Sequence, residues 1–422
     1  MSFPNDLAKA AIARWDTLVG GQYTAPDIPA FATLGDILNA VYLASSSPEE
    51  GRYPQFNVVV VPRDADMNKV GTNPFAFKQS RPVTVAELRR LAPASDLKKS
   101  AIWIEFRGEE CAIAGLADLG TSWHRAKAGL NYAYRAPHAL LVQVDRPGRM
   151  KLHQGQYLVA TLTDGDLKAS KGIELDLFLH ESVNAGMSQL TQQFTKPKWE
   201  HPRDYNSFWF TALWNVFASI ANTISLSSHG GMLVIVDPTQ VEDVGILRIK
   251  YGGGFETLRT SFINFINARN KTADFYERAE QQGKKVTKGV YEAEVSLAAA
   301  SEQLVEATRF VARLASCDGA IVLTRDLKLL GFGAEIRAEM KNGVGVLEVE
   351  SEMTKAPVKC DIEQFGMRHR SAIKLASQCD GAVVLTISQD GPISGVWKKG
   401  ECVLVKKGVA LANLNMPWAG GA

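Results

Sequence analysis

The chain has 422 residues, 46% of them hydrophobic and 22% charged, enough apolar material for two or more globular domains, each with its own core. Its 47 Lys and Arg face 45 Asp and Glu, so no overall field draws it to nucleic acid, and any basic site is local. Five cysteines, Cys111, Cys317, Cys360, Cys379 and Cys402, lack C-x-x-C spacing and read as small buried hydrophobes in a reducing cytosol rather than as a metal cluster.

Residues 1–15 show no basic region followed by an apolar core, and no window reaches the ~18 uninterrupted apolar residues of a membrane span. A cytoplasmic protein with no membrane partner is expected. Residues 5–18 and 33–43 read as amphipathic helices, parted by Gly20-Gly21, Pro26 and Pro29. A loop at 45–48 leads to a strand at 57–62. Residues 84–91 form a short helix with a capping-box start, Thr84 to Glu87.

From residue 101 the pattern turns to strands at 101–108, 110–120, 138–148 and 151–165. Their Gly, Pro-Gly and Asp-Gly endings suggest an antiparallel sheet with tight turns. Within it, Trp123-His124-Arg125 and Tyr132-Ala133-Tyr134-Arg135 make a polar-aromatic insert. It reads either as a pocket for a base and a phosphate or as a cap on the sheet. Residues 194–206 are dense in Pro and charge and mark a boundary. The expected domains are an α+β domain at 1–190, a linker at 191–206 and a nucleotide-binding domain at 207–422.

Residues 208–226 are apolar nearly all round a helix, which suits a buried central helix or an oligomer surface, with burial preferred. His229-Gly230-Gly231 then enters an apolar strand, where His229 either reaches a ligand or marks an ordinary strand entry. Tyr251-Gly252-Gly253-Gly254-Phe255 is followed by no Lys-Ser/Thr and reads as a flexible turn rather than a Walker loop. Leu258, Phe262, Phe265 and Ile266 share a helical face. The acids and bases of 270–289 alternate, as on a solvated helix and loop.

A further helix buries Leu297, Leu304, Ala307, Val311 and Leu314, and Asp318-Gly319-Ala320 follows at once with a β-branched run. A carboxylate at so sharp a turn stands at the rim of a sheet, where it can hold a cation. Arg368-His369-Arg370 opens another helix, whose unpaired N–H groups and basic side chains suit a polyphosphate. Asp380-Gly381-Ala382 repeats the first motif at the entry of the next strand and serves the turn there.

CDGAIVL, then FGMRHRSAIKLASQCDGAVVLTIS, resembles the diadenylate cyclase domain of the bacterial DNA-integrity scanning protein and its relatives, over about the last 200 residues. That family carries DGA after a helix, GTRHR opening a second helix, and a strand ending in Ser-Glu. The resemblance implies an α/β domain with a mixed central sheet between helices, preceded here by a strand-rich α+β domain. It also implies a nucleotidyltransferase that condenses two ATP into a cyclic dinucleotide second messenger, with Mg2+ or Mn2+ and with two subunits face to face. Carried over, Asp318 holds the metal and helps activate the ribose 3′-hydroxyl. Gly319 and Ala320 admit the nucleotide, and Leu323 packs near the base. Arg368, His369 and Arg370 cradle the phosphates, while Ser371 and Ser388 add hydroxyl contacts. Two positions depart from the pattern: Met367 stands for Thr, and Gln389 for Glu. The alternatives are a non-catalytic sensor of nucleotides or cyclic dinucleotides using the same pocket, and an interaction module that keeps only the fold.

Overall fold

A computed structural model describes residues 1–18, 25–48, 51–120, 123, 137–169, 177–196, 203–227, 229–237, 245–283, 288–349, 357–389, 393–409 and 411. The chain divides into two compact units, Met1–Lys127 with Tyr134–Ile173, and Ala128–Ala133 with Glu174–Ala422. The helix Leu177–Leu190 therefore falls within the second unit.

In the first unit an eight-stranded sheet has the order β2 (Asn73–Pro82), β4 (Glu110–Asp118), β3 (Ser100–Arg107), β1 (Phe56–Pro62), β5 (Leu140–Arg146), β6 (Arg149–Gln154), β7 (Tyr157–Thr163), β8 (Asp166–Ala169). β1 is almost continuously apolar, and a strand of that composition is buried on both faces. Accordingly Phe56, Val58 and Val60 face one core and Val59 and Val61 the other. The first core is closed by α1 (Pro4–Ile12), α2 (Phe31–Ser46) and α4 (Val85–Leu91), a shorter α3 (Met67–Val70) having intervened. The Thr84 hydroxyl accepts from the Glu87 N–H at 3.3 Å, as the capping motif requires. The sheet is mixed rather than purely antiparallel, because β1 and β3 pair in parallel. Residues 151–165 form two strands, with Gly155 (φ +58°) between them.

The second unit holds a ten-stranded sheet in the order β10 (Leu247–Arg248), β13 (Leu329–Ile336), β12 (Ala320–Thr324), β9 (Gly231–Val236), β16 (Val383–Ile387), β17 (Ile393–Lys399), β18 (Cys402–Lys406), β14 (Gly345–Val349), β15 (Val358–Lys359). β11 (Tyr251–Phe255) pairs with β13 off this path, so the glycine run expected to be a flexible turn is a strand. Glycine was read there as a breaker, but an antiparallel partner supplies the hydrogen bonds that hold it extended.

Alternation sorts the central strands between two cores. Leu233, Ile235, Ile321, Leu323, Leu385 and Ile387 face α5 (Leu177–Leu190), α6 (Arg203–Leu226), α7 (Thr257–Gln281) and α8 (Lys288–Arg313). Val234, Val322 and Val384 face α9 (Met367–Gln378). The expected architecture, a mixed sheet with helices on both faces, is what the second unit has. α6 is apolar on all sides because it lies inside this core, with Trp214, Phe217 and Ile220 buried. No helix among the described residues is long and apolar enough to cross a membrane.

Phe262 on α7 is fully buried in the larger core. Phe262→Ala is expected to cost about 3–5 kcal/mol, through lost transfer energy and the cavity left behind. Urea denaturation reads this as a lower midpoint at unchanged slope, and an unmoved midpoint would contradict the packing described.

Candidate functional site

Strand direction decides which ends meet. β12 runs parallel to β9 with Ile321 opposite Leu233, and β16 runs antiparallel to β9 with Ile387 opposite Gly231. Asp318 and Gly230 precede the starts of β12 and β9 and Ser388 follows the end of β16, so the three lie on one edge of three adjacent strands. Neighbouring strands lie about 4.8 Å apart, so the row spans roughly 10 Å, the scale of a triphosphate.

α9 opens onto the same edge. A Cβ on Gly230 (φ +64°) would fall 2.8 Å from the Ile387 carbonyl oxygen, 3.0 Å from the Gln389 amide nitrogen and 3.2 Å from Arg368 Nη1. Glycine is thus what allows the Arg368 guanidinium and the end of β16 to close on the start of β9. At the other end of the row, a Cβ on Gly319 (φ +114°) would lie 2.5 Å from the Gly333 carbonyl carbon. The turn after Asp318 therefore requires both unusual backbone and missing bulk.

Asp318 and Arg368 are exposed, and neither side chain makes a hydrogen bond or ion pair among the described residues. The helix start is also open: Gly366 at the N-cap offers no side chain to the amides of the first turn. An uncapped helix end beside an unpaired guanidinium is chemically able to accept an anion, and the carboxylate across the row is able to take a cation.

The other expected site residues divide. His369 lies at the edge but is engaged with the sheet, its Nε2 3.0 Å from Thr386 Oγ1 and its ring stacked on Phe365 at 6.1 Å. Burial, with the Lys407 ammonium adding to it and Glu348 opposing, holds its pKa below the usual imidazole value. Arg370 donates to Glu363 at 2.5 Å, so its charge is already matched. Ser371 and Ser388 are half-buried, and Ala320 is buried against the α9 face.

Leu323 is not brought to this row. It is fully buried in the helical core near the far end of β12, because alternation turns it away from the α9 face and the strand carries it to the opposite edge. The second Asp-Gly-Ala also lies on that opposite edge, since β16 starts where β12 ends. Asp380 there is bound by Lys398 Nζ at 2.6 Å, and this hydrogen bond holds its carboxyl below the usual range. Of the two repeats, the first is the one that shares an edge with the start of α9.

Met367 is 77% exposed at the mouth of α9, and Gln389 is exposed beside Gly230. Asp390 lies outside the described residues, as do His124, Arg125 and 132–135 of the polar-aromatic insert. Trp123, from that insert, is buried and donates its indole N–H to the Gly155 carbonyl at 3.0 Å. Gly230, whose missing side chain admits Arg368, was passed over in the sequence. Its signal was the glycine pair directly ahead of an apolar strand.

Residues 23–118 match the family described as "Probable sensor domain DACNV". The matched stretch lies inside the first unit and runs from ahead of α2 through β4. No curated protein matches the chain.

The lowered pKa of His369 makes a pH prediction. Between its folded value and about 6.5, the unfolded chain binds a proton that the folded chain does not, so stability rises with pH through that window. The contribution is complete above about pH 6.5 and is lost as pH falls. His369→Gln is expected to flatten the rise in denaturation midpoint as pH climbs toward about 6.5. His138, whose pKa is lowered mainly by burial, leaves a residual slope in the variant. A slope identical to the parent's would contradict the neutral imidazole assigned here.

Proposed function

We propose that the second unit binds ATP along the Asp318–Gly230–Ser388 row and joins two ATP molecules into a cyclic dinucleotide, with the first unit as the sensor that governs it. What supports this most is the convergence of an unpaired carboxylate and an unpaired guanidinium, from motifs about fifty residues apart, on one sheet edge about 10 Å long. Phosphoryl transfer asks a protein mainly for positioning and charge neutralisation, and these groups supply both. The match to a probable sensor domain supports the regulatory half of the proposal.

In this reading the α9 amides and Arg368 hold the phosphates, and His369 braces the helix start against β16. No group of three or more His, Cys, Asp or Glu side chains is placed to hold a metal among the described residues. Asp318 would instead hold a Mg2+ or Mn2+ that arrives with the triphosphate, since Mg2+ is commonly bound by one or two carboxylates plus phosphate oxygens. Two copies face one another. Each ribose 3′-oxygen bonds to the α-phosphorus of the opposite nucleotide, loses its proton, and displaces pyrophosphate.

A second reading, binding without turnover, is favoured by Met367 and Gln389. At the positions where the resembled family has Thr and Glu, these side chains bring neither a hydroxyl nor an anion. Incubation of the full chain with ATP and Mn2+ or Mg2+ separates the two. A cyclic dinucleotide whose formation is lost in Asp318→Asn is the expected result, and nucleotide binding with no product would select the second reading. Arg368→Ala is expected to weaken ATP binding by about tenfold or more, the loss of a charge-assisted hydrogen bond. An unchanged dissociation constant would remove the phosphate assignment.

A further inference from the structure

Leu323 is buried at the far edge, so the nucleotide base needs another seat, and the structure offers one on the strand first read as a loop. Tyr251 opens β11 opposite Phe332 on β13. Their rings stack at 4.9 Å with an interplanar angle of 27°, and Tyr251 remains 47% exposed. A cross-strand aromatic pair is by itself an ordinary sheet contact. Two further observations tie this one to the site.

The first is position. The point where a Gly333 Cβ would sit is 3.0 Å from Tyr251 Cδ2 and 3.4 Å from the Asp318 carbonyl oxygen. Gly333 (φ +63°) is thus the narrow spacer between the aromatic ring and the carboxylate-bearing turn. The second is relief. Gly252, Gly253 and Gly254 run on from Tyr251, and Gly331 and Gly333 flank Phe332 on the partner strand. At Gly253 and Gly254 a Cβ would meet nothing within 4 Å. Glycine inside paired strands weakens them, and it is kept where a ligand or another backbone approaches closely. Beside the ring lies the exposed Lys250, its Nζ 5.2 Å from the ring centroid, so the aromatic surface already receives a cation, and a base stacking there takes the place of this exposed ammonium.

We propose that Tyr251, backed by Phe332, is the stacking platform for the base of the bound nucleotide, over the glycine-paved β11–β13 ribbon. This rests on the triphosphate reading of the neighbouring edge. An aromatic face accepts any nucleobase, so the platform recognises the class, an aromatic base joined to a phosphate chain, and sets its orientation relative to Asp318.

The test titrates the full chain, with Mg2+, against ATP and against inorganic tripolyphosphate, in the parent, Tyr251→Leu, Tyr251→Trp and Arg368→Ala. Tyr251→Leu is expected to weaken ATP by roughly 5- to 150-fold, the range for a lost base–aromatic stack, and to leave tripolyphosphate within about twofold. Tyr251→Trp is expected to restore ATP binding. Thermal melting without ligand checks that the ribbon still folds. If Tyr251→Leu binds ATP like the parent while Arg368→Ala does not, the platform is wrong and the triphosphate reading stands. Equal losses for ATP and tripolyphosphate in Tyr251→Leu would also overturn stacking, since they would mean a disturbed edge. A parent chain that binds neither ligand would overturn the triphosphate reading and the platform together.

Discussion

The arrangement of the second unit depends on the pairing of β9 with two strands of opposite sense. Gly231–Val236 is buried at every position, with β12 parallel on one side and β16 antiparallel on the other. A parallel neighbour starts at the same edge, and an antiparallel neighbour ends there. The start of β12 and the end of β16 therefore share one rim. A register slip of a single residue would turn Leu233 and Ile235 out of the helical core and Val234 out of the other, so burial on both faces pins the alignment.

Glycine completes what pairing begins. Strands bring backbones to within about 4.8 Å, but α9 and β13 come closer to the rim than side chains would permit. At Gly230 the obstacle to a Cβ is backbone from β16 and the Arg368 guanidinium, and at Gly319 it is the backbone of Gly333. Both sites have positive φ, so an L side chain there is opposed by conformation as well as by space. A third glycine leaves the adjoining helix end open: with Gly366 at the N-cap, no side chain caps the first turn of α9.

Much of this was legible in the sequence, for reasons that particular residues make plain. The runs at 57–62 and 231–236 read as strands and are buried strands, and 208–226, read as a buried helix or an oligomer surface with burial preferred, lies in the larger core. A parallel crossover through α7 and α8 joins β9 to β12, so both strands start at one rim, which the order of the two motifs by itself left open. What was not legible was sidedness. Leu323 lies only five residues from Asp318, yet five strand residues cover about 17 Å and end on the opposite edge. Likewise, no local rule announces that Tyr251–Phe255 pairs with β13 across some eighty residues, because glycine in sequence marks a turn as readily as a close approach. β2 escaped notice because every one of its residues is at least partly exposed, leaving no apolar alternation to read.

The basic tripeptide shows how a motif can overstate a site. Read as letters, Arg368-His369-Arg370 offers two guanidinium groups and an imidazole to one anion. On a helix, however, successive residues advance by about 100°, so three in a row sweep about 200° and leave the helix in different directions. The structure resolves the conflict by giving each residue a different neighbour. His369 turns to Thr386 and ties the helix to β16, and Arg370 turns to Glu363 on the preceding segment. Arg368 alone of the three meets the rim at Gly230. In the nucleotide-binding reading proposed above, charge recognition at this edge comes from one guanidinium and the amides of the first helical turn, while its two neighbours tie the helix to β16 and to Glu363. Hydrogen bonds from a fixed backbone lose less entropy on binding than those from free side chains, so a cradle of this composition favours geometry over charge count.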